Sequence, residues 1–140
     1  MIDIYSALIQ QLKGASIAYI TADDIAYDNA DFDPTNKEAW LATNFIPVQR
    51  ATDSKDSTGN VDTGLFQIDV FVPLNDATGN TTRYNLRALE IVNDILVAFA
   101  DNTQITFNST KVSISGAEFA APLISESWYQ IPITINYTRI

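Results

Sequence analysis

The stretch TGLFQIDVFVP, Thr63 to Pro73, decides the fold. Phe66, Ile68, Val70 and Val72 recur at every second position, and the intervening Leu65, Gln67, Asp69 and Phe71 are mixed in polarity. Strict alternation rich in β-branched and aromatic residues is the pattern of a strand with one face on a core and the other partly open. It predicts a central strand bounded by Gly64, which tolerates a chain reversal, and by Pro73, which cannot donate to a ladder.

Upstream, Trp40 to Gln49 reads as a second strand, with Trp40, Ala42, Ile46 and Val48 on one side and Leu41 and Phe45 on the other. Residues 50–62 carry no apolar periodicity and connect it directly to the first strand, which predicts a long β-hairpin arm with a mobile tip. Both an interaction arm and a plain surface loop fit that composition. If it is an interaction arm, Arg50, Lys55, Asp56, Asn60 and Asp62 are its candidate contacts with another subunit or a partner.

Downstream, Thr82 to Phe99 predicts the longest helix, with Leu89, Val92, Leu96 and Phe99 as core stripe, Ala88 and Ile95 widening it, and Arg87, Glu90 and Asp94 on the polar side. Tyr84, Leu86 and Ile91 make it apolar over a second face as well, which predicts burial on two sides, under the chain's own layers in preference to a neighbour. Gln104 to Phe107 and Lys111 to Ser115 are strand candidates, and residues 116–124, with Pro122, read as irregular. In the closing segment Tyr129, Ile131, Ile133, Ile135 and Tyr137 share a core face. Pro132 lacks a donor, so it belongs at an edge or an irregular pairing.

At the start, Ile4, Leu8 and Leu12 form the stripe of an opening helix over residues 1–13, with Asp3 in its first turn and Gly14 as its stop. Ile17 with Tyr19 and Ile25 with Tyr27 suggest two short extended pieces around a polar turn. Residues 27–34, YDNADFDP, read as a loop, because Asn and Asp bond their own main chain and Asp33 precedes a proline. Its acids do not have the spacing of an EF-hand, so a solvated loop fits better than a calcium site. The fold class is α+β: a mixed, mainly antiparallel sheet with the N-terminal helix and the long helix packed on it, plus the hairpin arm, in a single domain spanning 1–140.

Composition narrows the chemistry. The 140 residues are 46% apolar, enough for one core. With no cysteine and no histidine, thiolate chemistry, Ser/His or Cys/His nucleophiles and the usual zinc ligands are excluded. No phosphate-binding loop, dinucleotide fingerprint or nucleophile elbow is present. Asp23 with Asp24, or Glu118 with Glu126, could form a carboxylate pair by residue type only. The expectation is no catalytic, metal or cofactor site. Seventeen acids against eight bases, a net charge of −9, repel nucleic acid and anionic membranes. No run of apolar residues is long enough for a spanning helix, so the chain is expected to be made in the cytoplasm.

The collinear order of these features resembles the tail terminator, or tail completion, proteins of long-tailed bacteriophages and the small phage families grouped with them. The likeness is carried by the opening helix, Asn29 with Phe32 and Pro34, Trp40-Leu41, Pro47, the strand from Gly64 to Pro73 with Gln67-Ile68, Ala88, Ile91 and Phe99, Val112 with Ile114, and Trp128-Tyr129 through Tyr137. No single motif is specific, and the likeness covers essentially the whole chain.

That resemblance implies a homo-oligomeric ring, a hexamer, in the virion tail. The ring would cap the tail tube, end its polymerisation and present a surface to a head-completion or neck protein. DNA would pass through it without specific binding. Asp23, Asp24, Asp28, Asp31 and Asp33, the densest acidic run and one with no evident compensating base, are then candidates for the lumen. The alternatives are another small neck or tail structural protein, a carboxylate-based hydrolase, or an acidic inhibitor that binds a basic partner.

Overall fold

The computed structural model describes residues 2–28, 30–35, 37–52, 60–74, 83–125 and 127–140, with the main chain alone at 49–52, 60, 61 and 125. Among these, two helices pack on a curled, mixed sheet of seven strands. The elements are α1 (Ile2–Gly14), β1 (Ile25–Ala26), β2 (Trp40–Thr52), β3 (Asn60–Pro73), α2 (Tyr84–Ala98), β4 (Gln104–Phe107), β5 (Thr110–Phe119), β6 (Leu123–Ser125) and β7 (Trp128–Arg139). The strand order is β1-β2-β3-β7-β5-β4, with β6 also pairing with β7.

The quoted stretch is central, as its pattern predicts. β3 runs antiparallel to β2 on one side, from Trp40 opposite Phe71 to Thr52 opposite Asn60. On its other side it is antiparallel to β7, from Thr63 opposite Thr138 to Pro73 opposite Trp128. Phe66, Ile68, Val70 and Val72 are fully buried, beside Ile131, Ile133, Ile135 and Tyr137 of β7. Among the described strands only β1, parallel and two residues long, breaks the antiparallel rule.

Gly64 does not bound the strand; it lies inside it. A Cβ there would collide with the Tyr137 hydroxyl and with the Ile46 carbonyl oxygen, 2.6 Å away. Glycine is needed because the Tyr137 ring, stacked on Phe45 at 5.5 Å, reaches across β3 at that level. β2 is also longer than its apolar pattern. Beyond Pro47 its register shifts by one residue, and the pairing with β3 continues past the last residue that β7 covers. The hairpin arm is therefore present as a two-stranded extension of the sheet. Its tip, including Lys55 and Asp56, lies outside the described residues.

The long helix keeps its place and most of its expected stripe, since Ala88, Val92, Ile95 and Phe99 are buried, while Leu89 is not. Arg87, Ala88, Ile91, Val92 and Ile95 are the buried positions of α2, with Phe99 just beyond, whereas Leu89 and Leu86 are about half exposed. The buried face is rotated slightly from the expected one, with Ile91 taking the place of Leu89. The small Ala88 is fully buried, where a short side chain permits close approach of the helix. Arg87, expected on the polar side, is fully buried. Of the second apolar group expected to be covered by the chain itself, Ile91 is fully buried and Tyr84 packs on Tyr129, whereas Leu86 stays half exposed, as do Leu89 and, more so, Val97 among the described residues.

α1 follows its stripe, burying Ile4, Ala7, Leu8, Ile9 and Leu12. It is tied to α2 by a 2.7 Å bond from Gln11 Nε2 to the Ala98 carbonyl. Of the two short extended pieces expected next, only Ile25–Ala26 is a strand. The other is a turn with Tyr19 at φ 65°, and Asp94 of α2 accepts from the Ala18 amide at 2.9 Å.

β4 and β5 form a tight hairpin whose two central residues, Asn108 and Ser109, both have positive φ, the geometry that matches the twist of the flanking strands. The segment read as irregular is largely strand. β5 continues through Gly116 to Phe119 after a bulge at Ser115, and β6 follows. Pro132 sits where β7 exchanges β5 for β6 as its neighbour, and its carbonyl accepts from Ala120. The missing donor of Pro132 thus falls at a break in the ladder, an irregular pairing as expected.

Candidate assembly surfaces

Three regions could carry function: the arm, the acidic segment before β2, and the apolar side chains left uncovered. In the arm, the main chains of Arg50 and Asp62 face each other across the ladder. Asp62 is only 4% exposed and raises the pKa of the Tyr137 hydroxyl, so its carboxylate points into the body and not outward to a partner. The side chains of Arg50 and Asn60 are outside the described set, as are Lys55 and Asp56 altogether.

The acidic segment splits into structural and exposed members. Asp28 accepts from Thr43 Oγ1 at 2.6 Å and from the Phe45 amide at 2.7 Å, and it also bonds the Tyr5 hydroxyl. It fastens the loop to β2 and α1. Asp24 caps the turn at Thr21 and forms an ion pair with Lys37 at 2.9 Å. Burial alone would push the Asp24 carboxyl up, but Lys37 and the Thr21 amide and hydroxyl together hold it below the usual range. The run therefore does have a compensating base, Lys37, which the loop folds back to reach. Asp23, Asp31 and Asp33 are exposed, and Asp33 turns the chain by accepting from the Thr35 amide at 3.0 Å. Of five candidates, the structure leaves three with carboxylates at the surface.

The face of the sheet away from the helices carries an aromatic group. Trp40 stacks on Phe71 at 4.0 Å and meets Phe32 and Trp128 at 5.1 and 5.7 Å. This group pins the segment before β2 onto the sheet. Asp69, on the same face, is pushed above the ordinary carboxylate range by burial, opposed by bonds from Gln67 and Gln130. One raised carboxyl without an acid partner is not a hydrolytic pair. Asp23 and Asp24, in a short 3-10 turn, do not converge on a pocket: Asp24 is paired with Lys37 and Asp23 is exposed. Among the described residues no group of three acids could hold a metal.

Uncovered apolar side chains are the feature that periodicity failed to place. Besides Leu86, Leu89 and Val97 on α2, they include Phe119, Leu123 and Ile124, each more than half exposed, where β5 gives way to β6. The excess of apolar residues on α2 signalled the first set. The second set lies in the stretch read as irregular, and no alternation marked it.

The family model for phage tail terminator proteins matches residues 3–137. A solved structure shares the fold with a TM-score of 0.70 at 20% identity, over 98% of this chain and 93% of that one. A search of curated proteins matched none.

Proposed function

Because the chain belongs to the phage tail terminator family, a structural and non-enzymatic kind of protein found in the virion tail, we propose that its copies close into a ring, a hexamer, that caps the tail tube. The ring ends tube polymerisation and offers its free side to a head-completion or neck protein, with assembly taking place in the host cytoplasm. The observation that carries this reading is the family match over nearly the whole chain. Two structural features support it. The β2–β3 arm extends beyond the sheet that anchors it, and apolar side chains on α2 and at the β5–β6 junction have no cover from the described chain. Large uncovered apolar side chains suit a subunit that completes its surface by association.

A phage lacking the gene tests the reading. It is expected to make tails of uncontrolled length that fail to join heads, with both defects corrected by supplying the protein. Tails of normal length in the deletion would overturn it.

A further inference from the structure

The outermost strands of a sheet turn main-chain groups toward solvent, and such edges are normally blunted. On the β2 side the blunting is plain within the body of the sheet. β1 pairs with Leu41 and Ala42, Asp28 takes the Phe45 amide, Pro47 has no amide to offer, and Val48 breaks the register as a bulge. The Phe45 amide points away from β3, and this direction alternates from residue to residue along a strand. Followed along the ladder with β3 and across the bulge, the alternation turns Arg50 and Thr52 outward too. No described strand lies beside them. The outer edge of β2 is therefore closed in the body and open in the arm.

The opposite end of the sheet has a matching gap. β4 pairs with β5 as far as Ser113, and just beyond, the Ile114 amide donates to the Thr103 carbonyl while its own carbonyl accepts from Asn102. Past the bulge at Ser115, the Ala120 amide donates to the Pro132 carbonyl, so Ala120 faces β7. Alternation then turns Ala117 and Phe119 outward, where no described strand lies. The Phe119 side chain is half exposed at this edge. A second copy's own β5 does not fit the gap. A twofold axis at Phe119 would put Gln104 of one copy where Ser125 of the other lies, because β4 and β6 flank the gap on its two sides.

An arm does fit. β2 is antiparallel to β3, β3 to β7 and β7 to β5, so β2 and β5 run in opposite directions. Copies in one common orientation, as in a ring, thus set the β2 strand of one antiparallel to the β5 strand of the next. Resting on the ring reading above, we propose that each arm adds a strand to the β5 edge of the neighbouring copy, Arg50 opposite Phe119 and Thr52 opposite Ala117. One sheet then continues from copy to copy, and the exposed Phe119 gains a neighbouring strand. The two edges differ, so the contact is head-to-tail, the kind that closes a ring. The arm edge lies beyond the end of β7 and the β5 gap lies within its span, so successive copies are staggered along the strands, as tilted strands in a closed sheet are.

The absence of native cysteine makes the test direct. In this pairing the Cα atoms of Thr52 and Ala117 from adjacent copies stand about 5.5 Å apart, within disulfide reach. Thr52→Cys and Ala117→Cys chains are supplied together to a host making phage that lacks the gene, and the finished tails are oxidised and resolved by mass without reductant. A disulfide-linked dimer holding one chain of each kind is expected as the major product, with none from either variant supplied alone. The chain carrying both changes should link into species up to the whole ring. Tails of normal length that bear rings but give no mixed dimer would overturn the edge pairing and leave the ring reading standing. A dimer from Ala117→Cys alone would overturn the head-to-tail arrangement. Tails of the unmodified phage without rings would overturn the ring reading, and the pairing with it.

Discussion

Tyr137 and Gly64 show how a single contact can set the chemistry of a residue that sequence alone leaves ordinary. As a strand residue Gly64 read as a terminator; its actual constraint is a ring contributed by β7, far away in the chain, which no local pattern could announce. Gly64→Ala is therefore expected to destabilise the fold by at least about 1–3 kcal/mol through overpacking, read as a lower denaturant midpoint. Tyr137 also predicts a pH dependence. Its folded pKa is raised above the ordinary tyrosine value of 10.0 to about 12, so the folded state holds the proton more tightly. The resulting stability is fully present below the unfolded pKa and is lost as pH rises toward the folded one. The raised hydroxyls of Tyr5 and Tyr27, both shifted first by burial, act in the same direction. A thermal melting series between pH 9 and 12 should show falling stability in the upper part of that range. In Tyr137→Phe the fall should be shallower, and an equal slope would contradict the assignment.

For the elements, alternation was the most legible signal. The inward faces of β3 and β7 were placed residue by residue, because period two leaves only two choices and one of them is polar. Ile133→Ala should accordingly cost about 2–5 kcal/mol, from lost burial and the cavity left behind. Thr134→Ala, on the other face, should cost much less. Helix periodicity was less decisive. α2 is apolar over so much of its circumference that the edge of the buried stripe is not fixed by period alone: Ala88, Val92, Ile95 and Phe99 fall where expected, and Ile91 is buried in place of Leu89. Ile91 is fully buried and Leu89 is 46% exposed. Ile91→Ala should thus cost about 2–5 kcal/mol and Leu89→Ala under about 1 kcal/mol, measured by chemical denaturation. The reverse order would put Leu89 back in the core, where its spacing in the sequence placed it. The strand content of residues 116–125 was hidden for another reason: a bulge at Ser115 and a proline at 122 interrupt alternation, although the main chain still pairs with β7.

At the scale of the whole molecule, the fold class and the family were legible because the collinear order of elements survives where individual motifs do not. The acidic segment was only half legible. Net charge and run length were plain, but the use of Asp24 and Asp28 as internal fasteners depends on Lys37, Thr43 and Phe45 being folded beside them. If the surplus of negative charge eases DNA through a ring, the carboxylates available for it are those of Asp23, Asp31 and Asp33. Exchanging all three for lysine should create duplex DNA affinity that weakens as salt rises, while the unmodified protein shows none. Ring formation should survive the exchange. Normal ejection by particles built from the lysine variant would contradict that electrostatic role.

The central claim, that this chain ends tube growth, is tested most directly by adding the purified protein to tail tubes elongating from purified tube protein and following their length by electron microscopy. Growth should stop at the tubes' open ends, with one ring of the protein on each arrested end. Tubes that continue to lengthen at an unchanged rate under saturating protein would contradict the account.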